Sequence, residues 1–316
     1  MNELTPEEGR EWQAKIRQWA AALGFIRCGF TSAQRDPAVE DFLARRQERG
    51  YITPFEETRL EVRTDPKKTW SHSRSVFVLA YPLPLSAPPR AGEGVLARSA
   101  VGKDYHVLIE EKFRALNERL SEEGWPSRQP FWQIDTGPLN ERALAVKAGV
   151  GWIGKNQQLI VPGYGSFCNL ALLLFDQDFP SDAPLEDHCG DCAACVGACP
   201  ARLLGEEFFN SRKCLSYLTQ SKEVLTDEER ERMGGRIFGC DTCQEACPHN
   251  QWRLLAEPQA AAYRRGIALD SLIHLSKSEF RERFAGTAAG WRGKGILQRN
   301  AAIGLLNLQK KEPDED

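Results

Sequence analysis

The chain has 316 residues, 41% of them hydrophobic and 27% charged, with a formal net charge of −3. That is an ordinary soluble, globular balance, long enough for one large core or a core plus a smaller domain. It excludes a globally basic nucleic-acid binder, so any RNA or DNA contact has to come from a local basic patch.

No run of eighteen apolar residues is present, so no membrane span is expected. The opening "MNELTPEEGREWQAKIRQWAAALGF" reads as neither a secretory signal nor a twin-arginine leader, which makes the cytoplasm the expected location. Ten cysteines in a reducing compartment argue for metal ligation rather than disulfides.

In chain order, the first predicted element is a helix. Thr5 caps it, Pro6 suits its first turn, and Glu8 completes a capping box. Trp12, Ile16, Trp19 and Leu23 then follow helical spacing to Gly24. "RSVFVLAYPL" (74–83) reads as a buried strand closed by proline. "DYHVLIEEKFRALNERL" (104–120) reads as an amphipathic helix with Leu108, Phe113, Leu116 and Leu120 inward. Residues 131–156 read as strand, turn, helix and glycine-rich loop. Residues 159–175 read as two strands around Pro-Gly-Tyr-Gly.

This mixture predicts an α/β or α+β domain over 1–180. The polar stretch "DQDFPSDAPLEDH" (176–188) marks its exit, and 181–250 form a cysteine-rich domain. Residues 251–308 are expected to be a short helical segment, and 309–316 a disordered tail.

The cysteine spacing is Cys189-x2-Cys192-x2-Cys195-x3-Cys199-Pro200, then Cys214, then Cys240-x2-Cys243-x3-Cys247-Pro248. The first block is the run of bacterial [4Fe–4S] ferredoxins, whose fourth cysteine ligates the other cluster. Cys214 makes good the ligand that the second block lacks. Crossing assigns Cys189, Cys192, Cys195 and Cys247 to one cluster, and Cys199, Cys214, Cys240 and Cys243 to the other. Two structural zinc sites are the alternative, but zinc sites usually use paired C-x2-C rather than C-x2-C-x2-C. Cys28 and Cys168 lie among apolar residues and read as core thiols. Clusters carry single electrons but rarely activate a substrate alone, so the remaining residues should hold a second cofactor.

"GKDYH" (102–106), "DTGPLNERALAVKAGVGWIGKN" (135–156), "YGSF" (164–167), "DHCGDCAACVGACP" (187–200), "RKCLSYLTQ" (212–220), "GCDTCQEACPHN" (239–250) and "WRGKGILQRN" (291–300) together resemble the epoxyqueuosine reductases. The resemblance runs from about residue 10 to 308. It implies an N-terminal α/β cobalamin-binding domain with a nitroreductase-like core, then a ferredoxin-like domain with two [4Fe–4S] clusters: an α+β chain. It also implies reduction of epoxyqueuosine to queuosine at the tRNA wobble position. Longer family members carry a C-terminal helical-repeat extension, so the chain resembles a short form.

The implied roles are specific. Asp135 matches the family's proton donor, and needs its pKa raised by desolvation to act near neutral pH. Without the resemblance, Asp135-Thr136-Gly137-Pro138 reads as a plain Asx turn. Arg142 would orient substrate or Asp135, and Tyr105 and His106 would stand near the cobalt. Arg63, Asp135, Asn156, Ser166 and Ser216 would contact cobalamin, with Gly163 and Gly165 allowing close backbone approach. Lys222, Arg292, Lys294 and Arg299, helped by Arg212, Lys213 and Trp291, would meet tRNA, unless they form only a solvated basic face. An electron donor such as flavodoxin or ferredoxin and a monomeric state complete the expectation. The rival readings are a reductive dehalogenase, in which Tyr105 would be the donor, and a non-catalytic electron carrier.

Overall fold

The computed structural model describes residues 4–310. By compactness the chain divides into two units, residues 1–82 with 106–192, and residues 83–105 with 193–316. This differs from the contiguous division expected at 180 and 250. Residues 83–105 leave the first unit after the Ser75–Pro82 strand and supply strands to the second.

The first unit is built on a four-stranded antiparallel sheet, in the order Arg27–Ser32, Ser75–Pro82, Cys168–Phe175, Phe131–Gln133. Val76, Val78 and Ala80 alternate with Phe77 and Leu79, so each set faces a different layer. On one face Val76, Val78, Leu172 and Leu174 pack with Leu144 and Ala145 of the Glu141–Lys147 helix. On the other, Phe30, Phe77, Phe175, Phe179 and Trp125 form an aromatic cluster. Gly29 has no room for a side chain, since a Cβ there would lie 1.8 Å from the Ala148 carbonyl oxygen.

The opening helix is Pro6–Ala22, with Thr5 and Glu8 forming the expected capping box. The second long helix, Tyr105–Glu122, buries Ile109, Phe113, Leu116 and Leu120. Ile109 takes the inward place expected of Leu108, because the i, i+4, i+7, i+11 stripe starts one residue later. Leu159–Ile160 pairs with Trp152–Ile153, not with Cys168–Phe175. Cys28 and Cys168 are half-buried sheet residues rather than core thiols. A strand gives each only one buried face, and both lie at strand ends or edges.

In the second unit, Glu93–Leu96 lies between Gly266–Ala268, antiparallel, and Arg236–Phe238, parallel. Ser86–Ala87 pairs in parallel with Tyr263–Arg264. The core joins Leu96, Ile237, Phe238, Leu269, Leu272 and Phe284 to Leu297 and Ala301 of the Lys294–Gln309 helix. The region 251–308 is therefore helical with two short strands, and it belongs to this core. Of the expected tail, residues 311–316 lie outside the described residues.

Candidate functional site

The Phe131–Gln133 strand points Trp132 and Gln133 to opposite faces of its sheet. Gln133 is buried on the side of the Glu141–Lys147 helix, and between them the chain makes a tight loop. Gln133 fills that loop: its Oε1 accepts the Leu139 N–H at 3.0 Å and its Nε2 donates to the Leu139 carbonyl at 3.1 Å. Gly137 leaves the space, since a Cβ there would meet Gln133 Oε1 at 2.0 Å. Asn140 caps the helix by accepting the Ala143 N–H at 3.3 Å, and its own N–H donates to the Arg63 carbonyl at 3.0 Å.

Asp135 stands at the tip with φ +54°. The Thr136 N–H reaches the Ile134 carbonyl at 2.5 Å across it, the closure of a γ-turn. A non-glycine residue so placed costs about 1–3 kcal/mol, and such strain gathers at functional sites. Ile134, Thr136, Gly137 and Pro138 line a cleft of about 360 Å³ with Thr69, His106, Glu110, Phe131, Trp132 and Gln133. His106 Nε2 lies 3.7 Å from Asp135 Oδ2.

The burial expected of Asp135 is not supplied by its own turn, where its side chain is 61% exposed. The desolvated carboxyl is Glu141, which sequence reasoning missed. Burial, then the charge of Asp135, pushes the Glu141 carboxyl up to about 8. Its signal was an acidic residue in the first turn of the helix that follows the Asp135 loop.

Arg142 is surface-exposed and donates to the Gln157 carbonyl at 2.5 Å. Its guanidinium lies within reach of the charges of Arg46, Glu56 and Arg63. Arg63 pairs with Glu56 at 3.4 Å, as does Arg46. Three guanidiniums around one carboxylate make a locally positive site. Asn156 is buried: its Oδ1 accepts the Gln158 N–H at 3.1 Å, while its Nδ2 has no hydrogen-bond partner. Ser166 is also buried, and Gly163 and Gly165 have φ of +72° and +97°.

In the second unit, Cys214 precedes the Leu215–Leu218 helix, and Cys240 and Cys243 flank the start of Thr242–Glu245. Cys199, Cys214 and Cys240 pack against one core of Ala201, Leu215, Leu218 and Met233. Desolvation pushes the Cys214 thiol up to about 11, and Cys240 and Cys199 add to the shift. Cys243 is raised first by desolvation, then by Cys240, Cys214 and Cys199. Four thiols thus feel one another, and they are the four assigned to one cluster by spacing. Among the described residues no three His, Cys, Asp or Glu side chains close on a single metal ion. A four-iron cube takes its thiolates at separate corners. Cys189 and Cys192 fall in the first unit, where Lys155 Nζ donates to the Gly190 and Cys192 carbonyls at 2.6 and 3.0 Å.

A buried ion network braces the Cys240–Cys247 loop. Arg98, 1% exposed, donates to Glu257 at 2.6 and 2.8 Å and to Glu245 at 2.8 Å, and its backbone N–H donates to Asp241 at 2.8 Å. Arg265 pairs with Glu245 at 3.0 Å, and Arg253 with Glu257 at 3.4 Å. Burial works against the charge on Arg98, but these carboxylates outweigh it and raise its pKa.

Ser216 is half-buried beside Cys214, and its carbonyl accepts from Thr219 and Gln220. Tyr105 opens its helix and is grouped with the second unit. Arg299 donates to the Leu218 and Ser221 carbonyls at 2.9 and 2.6 Å, and Asn300 donates to Thr219 and Ile237. The "QRN" motif therefore braces the segment after Cys214. Arg292 Nε donates to the Gln220 carbonyl at 2.8 Å beneath the exposed Trp291, and Lys294 donates to the Leu275 carbonyl at 3.0 Å. Lys222 and Lys213 are exposed, and Arg212 pairs with Glu223 at 2.6 Å.

Comparison with known proteins gives a consistent result. The family described as epoxyqueuosine reductase QueG, DUF1730, matches residues 63–136, and the 4Fe-4S double cluster binding domain matches residues 188–250. The epoxyqueuosine reductase of Bacillus subtilis is 35% identical over 305 residues, 93% of this chain and 79% of that protein. A crystal structure of epoxyqueuosine reductase with an epoxyqueuosine-modified tRNA-Tyr stem loop is similar at TM-score 0.85 and 33% identity, covering 96% of this chain and 83% of that one. So is a Bacillus subtilis structure whose catalytic aspartate loop is swung out of the active site, at TM-score 0.85, 32% identity and the same coverage. The α+β architecture, the double-cluster domain and this identity over most of both chains agree: the chain belongs to the epoxyqueuosine reductase family, oxidoreductases of tRNA queuosine biosynthesis.

Proposed function

We propose that the chain reduces epoxyqueuosine in the anticodon stem-loop of tRNA to queuosine with Asp135 as the proton donor. The observation that carries this is the Asp135 turn, strained, exposed and set between residues that line the cleft. The solved relative whose catalytic aspartate sits on a loop able to leave the active site supports it.

Opening an epoxide to an alkene takes two electrons and two protons, and the oxygen leaves as water. When bound, reduced cobalamin supplies the electron pair and the two clusters supply electrons singly. Asp135 delivers a proton to the departing oxygen, which would otherwise leave as a costly oxyanion. His106, 3.7 Å away, is placed to steady or resupply that proton. Trp132, Phe131 and Ile134 offer apolar walls for a base in the cleft.

The residues present fit cobalamin. The unpaired amide of buried Asn156 suits a cofactor rich in amide carbonyls. Gly163 leaves open space where a side chain would otherwise stand. Ser166 adds a buried hydroxyl, and Arg63 a guanidinium paired with Glu56. Ser216 belongs to the same reading. Cys189, Cys192, Cys195 and Cys247 hold one cluster, and Cys199, Cys214, Cys240 and Cys243 the other. Arg142, with Arg46 and Arg63 near it, orients the substrate, and the tRNA backbone meets a patch of Lys222, Trp291, Arg292 and Lys294. Arg299 contributes by holding that patch, since its donors serve backbone carbonyls. A flavodoxin or ferredoxin as reductant, a cytoplasmic setting and a monomeric state complete the reading.

Anaerobic turnover tests it. The protein reconstituted with iron, sulfide and cobalamin is given a strong reductant and a stem loop bearing epoxyqueuosine, and the nucleosides are read by mass spectrometry. Loss of one oxygen, dependent on cobalamin and abolished in Asp135→Asn, is the expected result. Turnover that survives Asp135→Asn but fails in Tyr105→Phe would move the proton to the tyrosine of the dehalogenase reading.

A further inference from the structure

A strained turn has to be held by something outside itself. The Asp135 N–H donates to Glu141 Oε1 at 2.9 Å. The same oxygen accepts Gln133 Nε2 at 3.1 Å. Gln133 and Glu141 are the two ends of the loop, and the Gln133 amide and the Asp135 N–H converge on one Glu141 oxygen. Gln133 spends its other hydrogen bonds on Leu139, and Asn140 caps the helix.

The placement is poor for stability alone. Glu141 is a carboxyl set against a second carboxyl, Asp135, in a partly desolvated position, with Gln133 and Arg142 as its favourable neighbours. An amide acceptor would hold the turn without setting an ionisable group beside Asp135. An unfavourable group kept where it touches a strained turn points to use rather than to packing.

We propose that Glu141 is a positioning residue: its carboxyl latches the Asp135 N–H and the Gln133 amide together, and so holds the Asp135 carboxyl at the edge of the cleft. The effect on turnover rests on Asp135 being the proton donor. The latch itself does not.

The test compares Glu141→Ala and Glu141→Gln in the full chain with both clusters assembled. Hydrogen exchange of the peptide spanning 134–138 is followed without substrate or cobalamin, beside kcat and KM for the modified stem loop. In Glu141→Ala, exchange of that peptide rises about tenfold, because its amide loses its acceptor. kcat falls roughly 10- to 100-fold with KM within about threefold, as expected for an interaction that counts in the transition state. Glu141→Gln keeps an acceptor oxygen in place and recovers most of both effects. Unchanged exchange over 134–138 in Glu141→Ala overturns the latch. So does faster exchange spread over the Tyr105–Glu122 helix, which would assign Glu141 to general stability. If no variant, nor the parent, converts epoxyqueuosine, the proposed function fails while the exchange data still decide the latch.

Discussion

The two units hold their chemistry in opposite ways. In the first, an exposed residue is kept in an unfavourable backbone conformation by a few hydrogen bonds around Gln133 and Glu141. In the second, the Cys240–Cys247 loop is kept by a largely buried network of three arginines and three carboxylates. A cluster ligand has to stand still whether electrons arrive or leave, and a rigid frame serves that. The proton donor proposed at Asp135 has to reach a substrate that comes and goes, and a turn held by few bonds is easier to move.

The largest effect should come from breaking the second site at its sulfur. Cys214→Ser is expected to lose roughly half the iron and the matching share of cluster absorbance, consistent with one of two four-cysteine sites failing. Full iron content would mean that another ligand completes the second cluster.

Arg98→Met attacks the frame instead. It leaves buried Glu257 with Arg253 and Asp241 with Arg265, and removing one partner of a buried pair costs about 3–5 kcal/mol. Iron should be lost during purification or mild heating, while the first unit's aromatic near-ultraviolet signal persists. Arg98→Met combined with Glu257→Leu should recover part of the loss. A single variant as stable as the parent would show that the network does not brace the loop.

In the first unit the effect is a pH dependence. Glu141 is raised from 4.5 to about 8, so between those values the folded chain keeps a proton that the unfolded chain releases. Its contribution to stability is complete below 4.5 and is lost as pH rises through about 8. Glu141→Gln should flatten the alkaline side of a stability–pH profile measured by urea unfolding. An unchanged slope would show that Glu141 ionises normally.

The smallest effect is the most diagnostic of strain. Glycine accepts φ +54° without a Cβ penalty, so Asp135→Gly should raise stability by about 0.5–1 kcal/mol while turnover collapses. A destabilised Asp135→Gly would mean that the side chain, not the turn, sets the energy there.

Much of this was legible beforehand because it is local. Capping at Thr5 and Glu8, the apolar run at 75–82 and the cysteine spacing each act over a few residues, and they read directly. The motif around 135–156 was also visible, as strand, turn and helix. What the linear pattern could not show was partnership across distance. Arg98 looks like any surface arginine until the fold sets it on Asp241 and Glu257, 143 and 159 positions away. Arg299 reads as a basic contact until its guanidinium is seen spent on two backbone carbonyls.

By itself, then, the sequence determined the main element types and the spacing of the cysteines, since helical period, strand alternation and motif spacing are properties of neighbours. The tertiary structure alone decided that 83–105 belongs with the cluster-bearing unit, that Asp135 is exposed and strained, and that Glu141 is the carboxyl which carries the burial. Burial and electrostatics depend on what the rest of the chain brings close, and no window of sequence contains that.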